Sequence, residues 1–462
     1  MDSGLLIALY LCEATVIVAL LAINRYYNVL GTLTVRQIVV LAALLVLAIA
    51  SGVYLARQLT LSSDRRSVMF AVGLNLTGIV LVFAGSEVVV RAFSVSQLTG
   101  TWFGSTLLLP KDWEDIKARH REILALVRDD LSYFVVDDRL GWAPGRSRRS
   151  REGLYSTSTE GFRSATPDVS YTSRPPGPRI AIVGDSFTFG LEVPFESSWG
   201  AVLEKSLGAN ATVLNLGVDG YGVDQAFRRY ELDARPLKPD VAILGFIDHD
   251  LLRTLSVYPF VQFPDWGFPF SKPRYVLENG EPKLLSDRLE SPSQILSAPS
   301  IADLPHIAID GGWDPSEWVH HIYDVSYTVR FLRSRFRRWP AANRDPHGDE
   351  MERLNGALIA RFTSIASADD TVPLVVYLPA RIDFTAEGSS SRERALRTLR
   401  RAGRNYIDLR SCVGAIGVDR AFVPGRPHYS AAGNAAVASC LLPVVRDALA
   451  GIESPTADRR QD

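Results

Sequence analysis

Three apolar runs crowd the N-terminal part of this chain: Gly4 to Ile23, Ile38 to Ala56 and Val68 to Val90. A hydrocarbon core about 30 Å thick takes roughly 20 helical residues to cross, and each run is long enough and nearly free of charge. Three buried helices of a soluble core are the alternative, but soluble helices show a polar stripe every turn and these runs do not. A cleaved signal peptide is a further alternative for the first run. Only Asp2 stands where a basic n-region belongs, and no small-residue cleavage site precedes Asn24. Residues 1–95 are therefore expected to form a three-helix transmembrane region. Glu13 lies near the middle of its run, where a carboxylate must be neutral or paired; it marks a helix contact or, alternatively, a transport function. Asn75 and Glu87 are the other polar exceptions.

Arginines set the expected orientation. Arg57, Arg65 and Arg66 follow the second run, while Arg25 and Arg36 follow the first. The bias places the second loop and the N-terminus in the cytoplasm, and three spans then deliver everything after Arg91 to the outer face. Net charge is close to zero, and no basic run is interleaved with aromatics, so nucleic acid is excluded as a partner. The cysteines are Cys12, Cys412 and Cys440, without metal-ligand spacing, so a thiolate zinc site is excluded and no metal or cofactor is expected. Cys412 and Cys440 are expected to lie close in space, either paired in an oxidising compartment or as two buried free thiols.

Beyond the membrane runs, Lys111 to Asp130 has helical spacing, and Tyr133 to Pro178 is rich in Arg, Ser, Thr, Gly and Pro. Residues 96–178 are read as a stalk and irregular lead-in. After them, short β-rich runs alternate with amphipathic stretches, the pattern of a parallel sheet with crossover helices. RIAIVG, ATVLNLG, VAILGF, PLVVYLP and NYIDL are the five expected strands of a flavodoxin-like three-layer domain over 179–450. The rhythm is lost at about 251–349, an aromatic-rich insertion expected to wall or cap a cleft, with one hairpin turning at Asn279 and Gly280. Residues 451–462 form a polar tail.

In open parallel sheets, ligands bind beyond the carboxyl ends of the strands. The first strand is followed by GDSFTFG, which puts Ser186 on a tight strand-to-helix turn with backbone N–H groups free to hold an oxyanion. The second is followed by NLGVDGYG, where Gly220 offers a bare N–H. FIDHDL follows the third. Near the C-terminus, PHYSAAGN sets His428 just before a helix, in reach of Ser186.

These segments, with DDRLGW and STEGFR ahead of them, resemble the SGNH, or GDSL, hydrolase family, in particular its membrane-anchored bacterial members, over about residues 133–448. The resemblance implies Ser186 as nucleophile, His428 as general base, and Ser186 N–H and Gly220 as oxyanion donors. Where the family carries Asn-Asp after the third strand, this chain has His249 and Asp250, so His249 stands as the third oxyanion candidate. The acid that orients the histidine, usually two or three residues before it, is replaced by Gly425 and Arg426. Asp419 is the nearest upstream substitute, and Asp250 would serve only if its side chain turned toward the loop.

The expected function is an O-acyl esterase or O-acyltransferase working through an acyl-enzyme on Ser186, with an acylated cell-envelope glycan or lipid-linked substrate. The alternative is a catalytically impaired relative that binds glycan or serves in assembly. A third reading gives the activity to the membrane region and Glu13. His320 and His321 lack ligand spacing.

Overall fold

The structure, a computed structural model, describes residues 83–97, 100–128, 133–208, 210–263, 269–336, 348–386, 388–403 and 405–453, with Arg66, Met69 and Val80. The first two apolar runs, with Glu13, and most of the third lie outside the described residues, as do two aromatics of the insertion, Trp266 and Phe268.

Five short runs, apolar on both faces, form one parallel sheet, as strands covered by helices on each side must. They are β1 (Arg179–Val183), β2 (Thr212–Asn215), β3 (Val241–Phe246), β4 (Val372–Tyr377) and β5 (Ile407–Asp408), in the order β5-β4-β3-β1-β2. Alternation divides their side chains. Ala181, Val183, Leu214, Leu244 and Val375 pack on one face, against helices α3 (Val223–Arg229), α5 (Gly348–Ala368) and α6 (Ser389–Ala402). Ile180, Ile182, Val213, Ile243 and Val376 pack on the other, against α2 (Trp199–Leu207) and α7 (Ala431–Glu453). Two short helices, α1 (Ser186–Phe189) and α4 (Asp248–Arg253), begin just beyond the carboxyl ends of β1 and β3. The expected three-layer α/β architecture with a parallel sheet is thus observed.

Among the described residues one helical stretch, Ala431–Ile452 of α7, is long and apolar enough to cross a membrane. Its Val437, Ala438, Leu441 and Val445 are buried against the sheet.

Chain contacts define two compact units, Trp113–Trp313 with Pro346–Asp462, and Met1–Asp112 with Asp314–Asp345. These cuts differ from the expected boundaries. The helix Trp113–Arg128, expected as stalk, belongs to the unit of the sheet, where Trp113 stacks on Phe260 at 6.1 Å and donates to the Ala298 carbonyl at 3.0 Å. The expected insertion is itself divided, residues 251–313 going with the sheet and 314–345 with the N-terminal unit. Its hairpin, Tyr275–Glu278 with Glu281–Leu284, turns at Asn279 (φ 53°) and Gly280 (φ 86°), the two left-handed residues of a type I′ turn. Tyr258, Phe260, Phe270 and Tyr275 are buried, so these aromatics serve packing and do not line an open wall.

In the N-terminal unit, residues 83–92 are helical, strands Ser94–Gln97, Gly100–Phe103 and Thr106–Leu107 form an antiparallel sheet, and a helix covers Tyr327–Phe336. Glu87 caps that helix, accepting hydrogen bonds from the backbone N–H groups of Tyr327 (3.0 Å) and Thr328 (2.9 Å) and from Ser326 Oγ (2.8 Å).

Candidate active site

β1 ends at Val183, and the chain turns directly into the single turn α1, whose first residue is Ser186. Asp185 caps it, its carboxylate accepting from Phe187 N–H at 2.9 Å, and Gly190 (φ 78°) ends it. As the first helical residue, Ser186 has a backbone N–H without a partner inside the helix. The β2 loop presses against this turn. A Cβ on Gly217 would stand 2.3 Å from Phe189 N, and Asn215 Nδ2 donates to the Thr188 carbonyl at 3.0 Å, so only glycine admits the contact. Gly220, on the same loop, has φ 78°. The DDRLGW hairpin clamps the loop, Trp142 Nε1 donating to the Asp219 carbonyl (2.9 Å) and Tyr221 Oη to the Trp142 carbonyl (2.6 Å).

His428 arrives from the far end of the chain. Phe422 and Tyr429 pair across its loop, Tyr429 Oη donates to the Pro379 carbonyl at 2.7 Å, and Asn434 Oδ1 accepts from Trp199 N–H at 3.0 Å, pinning the HYSAAGN segment to α2. The ring packs 5.1 Å from that of Phe187 and brings Nε2 to 2.9 Å from Ser186 Oγ. The two residues picked from opposite ends of the domain therefore meet at hydrogen-bond distance.

A carboxylate faces the His428 ring from a place where neither expectation put one. Glu192 Oε1 lies 3.3 Å from His428 Nδ1, an ion-pair distance without hydrogen-bond alignment. Glu192 follows Ser186 by six residues, on the turn after α1, with φ 70°. Its N–H donates to Tyr155 Oη at 2.9 Å, and the next carbonyl, that of Val193, accepts from Arg163 Nη2 at 3.2 Å. Arg163 is buried between the rings of Tyr155 and Phe189, each 4.9 Å from its guanidinium carbon, and burial lowers its pKa to about 10. The STEGFR segment, which contains Arg163, thus holds the carboxylate that faces the histidine.

Neither earlier candidate takes that place. Asp419 is fully exposed and 3.6 Å from Arg381. Asp250 turns into its own helix, accepting from Ile247 N–H at 3.0 Å and from Arg253 at 2.5 Å. Arg426 is exposed at the surface. His249 is the second residue of α4 and has exposed surface, while partial burial and the nearby Arg253 cation hold its pKa below the ordinary value, leaving a neutral ring. Beneath Ser186, burial pushes Asp185 up and Asp250 well up, against the opposing charge of Arg253, whose Nη1 lies 3.7 Å from Asp185. Among the described residues, no group of three or more His, Cys, Asp or Glu is placed to hold a metal ion.

A donor-ready turn, a hydroxyl on an imidazole and a carboxylate behind that imidazole suit nucleophilic acyl transfer. No family model matches the chain, and no curated protein matches it. Solved structures do. A member of the lipolytic protein G-D-S-L family from Veillonella parvula is similar at 13% identity over 58% of this chain and 99% of its own, TM-score 0.31. A lipase/acylhydrolase from Enterococcus faecalis is similar at 11% identity over 58% and 96%, TM-score 0.31. An acetylxylan esterase from Geobacillus stearothermophilus is similar at 13% identity over 58% and 94%, TM-score 0.31.

Proposed function

We propose that the chain is a membrane-anchored serine hydrolase of SGNH type, an O-acyl esterase or O-acyltransferase that works outside the cytoplasm on an acylated envelope glycan or a lipid-linked acyl donor. The observation that carries the reading is the line Ser186 Oγ, His428 Nε2, His428 Nδ1, Glu192 Oε1. With Nδ1 protonated toward Glu192, Nε2 takes the Ser186 proton as Oγ attacks the ester carbonyl. The oxyanion is held by the Ser186 and Gly220 N–H groups, with neutral His249 as third donor. The imidazolium, stabilised by Glu192, returns its proton to the departing alcohol and leaves acyl-Ser186. Water or a sugar hydroxyl then gives up a proton to His428, attacks the acyl group and releases Ser186. Glu192 supports this reading over that of an impaired relative by offering a carboxylate to His428 where Gly425 and Arg426 offer none.

The membrane part of the proposal rests on the three apolar runs, with the Cys412–Cys440 pair, Cα atoms 6.5 Å apart, supporting an oxidising compartment. A serine-reactive fluorophosphonate tests the chemistry. Labelling of the full chain that is lost in Ser186→Ala, together with hydrolysis of an acetyl ester, is expected; absence of both would overturn the reading.

A further inference from the structure

In the N-terminal unit, the turn Ile322–Val325 shows the solvent two aliphatic side chains, Ile322 at 91% and Val325 at 74% exposure, with Val319 and Tyr323 half-exposed beside them. This is an ordered turn. Asp324 accepts from His321 N–H at 2.7 Å and pairs with Arg333 at 2.9 Å, and Arg333 also donates to the carbonyls of Ser316 (2.7 Å) and Val319 (3.1 Å). The ring of His321 stacks on that of Tyr323 at 4.8 Å. The apolar side chains are therefore held outward by a rigid scaffold, a costly arrangement in water.

The turn is also fixed in height against the third apolar run. Glu87 caps the helix that starts at Tyr327, and Arg91 donates to the Val325 carbonyl at 2.9 Å while its guanidinium lies 4.4 Å from the Tyr327 ring centre. A helix over Val68–Val90 would rise about 35 Å against a hydrocarbon core of about 30 Å, so its last turn, with Glu87 and Arg91, emerges among the headgroups. Val325 and Ile322 are bound at that same level.

We infer that the turn Ile322–Val325 is a lipid-contacting element that seats its aliphatic side chains in the outer membrane interface beside the third span, with Tyr323 and the cation Arg91 at headgroup depth. The inference rests on the membrane reading above. It makes the turn at residues 322–325 a second foothold on the bilayer, separate in sequence from the spans.

The test uses the full chain with Cys12→Ser, reconstituted in phosphatidylethanolamine and phosphatidylglycerol vesicles. An environment-sensitive NBD label is placed in turn at Ile322→Cys, Val325→Cys and the exposed reference Asp287→Cys. Blue-shifted emission at 322 and 325 relative to 287, with doxyl-lipid quenching that puts the labels about 5–10 Å below the phosphates, is expected. Water-like emission at both positions, unquenched, in protein that resists alkaline carbonate extraction would overturn this inference alone. Protein released by carbonate would overturn the membrane reading with it.

Discussion

Glu192 holds a left-handed backbone, φ 70°, which costs a residue with a β-carbon roughly 1–2 kcal/mol, and the surroundings hold it there through Tyr155 and Arg163. That conformation swings the carboxylate back over the turn it has just left, toward His428. Losing the charge while keeping the shape, in Glu192→Gln, is expected to lower kcat about 10²- to 10⁴-fold with little change in KM, because the imidazolium forms only along the reaction. Glu192→Asp should recover part of the loss. Asp419→Asn should leave turnover unchanged; steady-state kinetics on an acetyl ester separates these outcomes, and a Gln variant at full rate would remove Glu192 from the mechanism. Nothing in the local sequence announces this residue. An acid is sought just ahead of the histidine, and there the chain offers Gly425 and Arg426. The available cue is a turn-ending Gly190 with a carboxylate two residues on, and the fold alone shows that this turn faces a loop from the other end of the domain.

Elements were legible where their period was unambiguous. The five strands are short and apolar on both faces, and the hairpin at Asn279–Gly280 carries its own turn chemistry, so both are legible in the sequence. The lead-in was not, because its order comes from side chains that cap backbone and not from periodicity. Glu160 shows how. Its carboxylate accepts from Ser158 Oγ (2.7 Å), Ser170 Oγ (2.9 Å) and Thr172 N–H (3.1 Å). Burial alone pushes it up, but these hydrogen bonds outweigh burial and hold it at about 2, below the ordinary 4.5. A depressed carboxylate contributes stability that is present above pH 4.5 and lost as pH falls through about 2. Glu160→Gln should therefore cost about 1–2 kcal/mol at neutral pH, allowing for its partial exposure, and progressively less in acid. Urea midpoints at several pH values would show it; a pH-independent difference would mean that the carboxylate's charge is not what holds the segment.

Across the molecule, the cross-link and the membrane runs bear on the same question of compartment. Cys412 lies in the helix Arg410–Ala415 and Cys440 in α7, with 28 residues of separation. Closing a loop of that length in the unfolded chain is worth about 2–4 kcal/mol, so reduction should lower the melting temperature of the isolated protein, and equal thiol counts with and without reductant would show the pair to be open. An alkaline phosphatase fused after Asp462 should be active outside the cytoplasm, as three spans with the second loop inside require; activity only of a cytoplasmic reporter there would reverse the orientation. Long-range assembly of the site follows a different plan from that of a triad gathered from three loops. In the proposed mechanism nucleophile and acid ride together on residues 186–192, and only the imidazole is brought in, on a loop pinned independently by Tyr429 and Asn434. The site is thus a socket and plug. With His428→Gly the plug's ring is gone while hydroxyl and carboxylate still face one another across a slot of imidazole size. Free imidazole supplied in solution should occupy that slot and restore part of the hydrolysis in a saturable way, and should do nothing for Ser186→Ala.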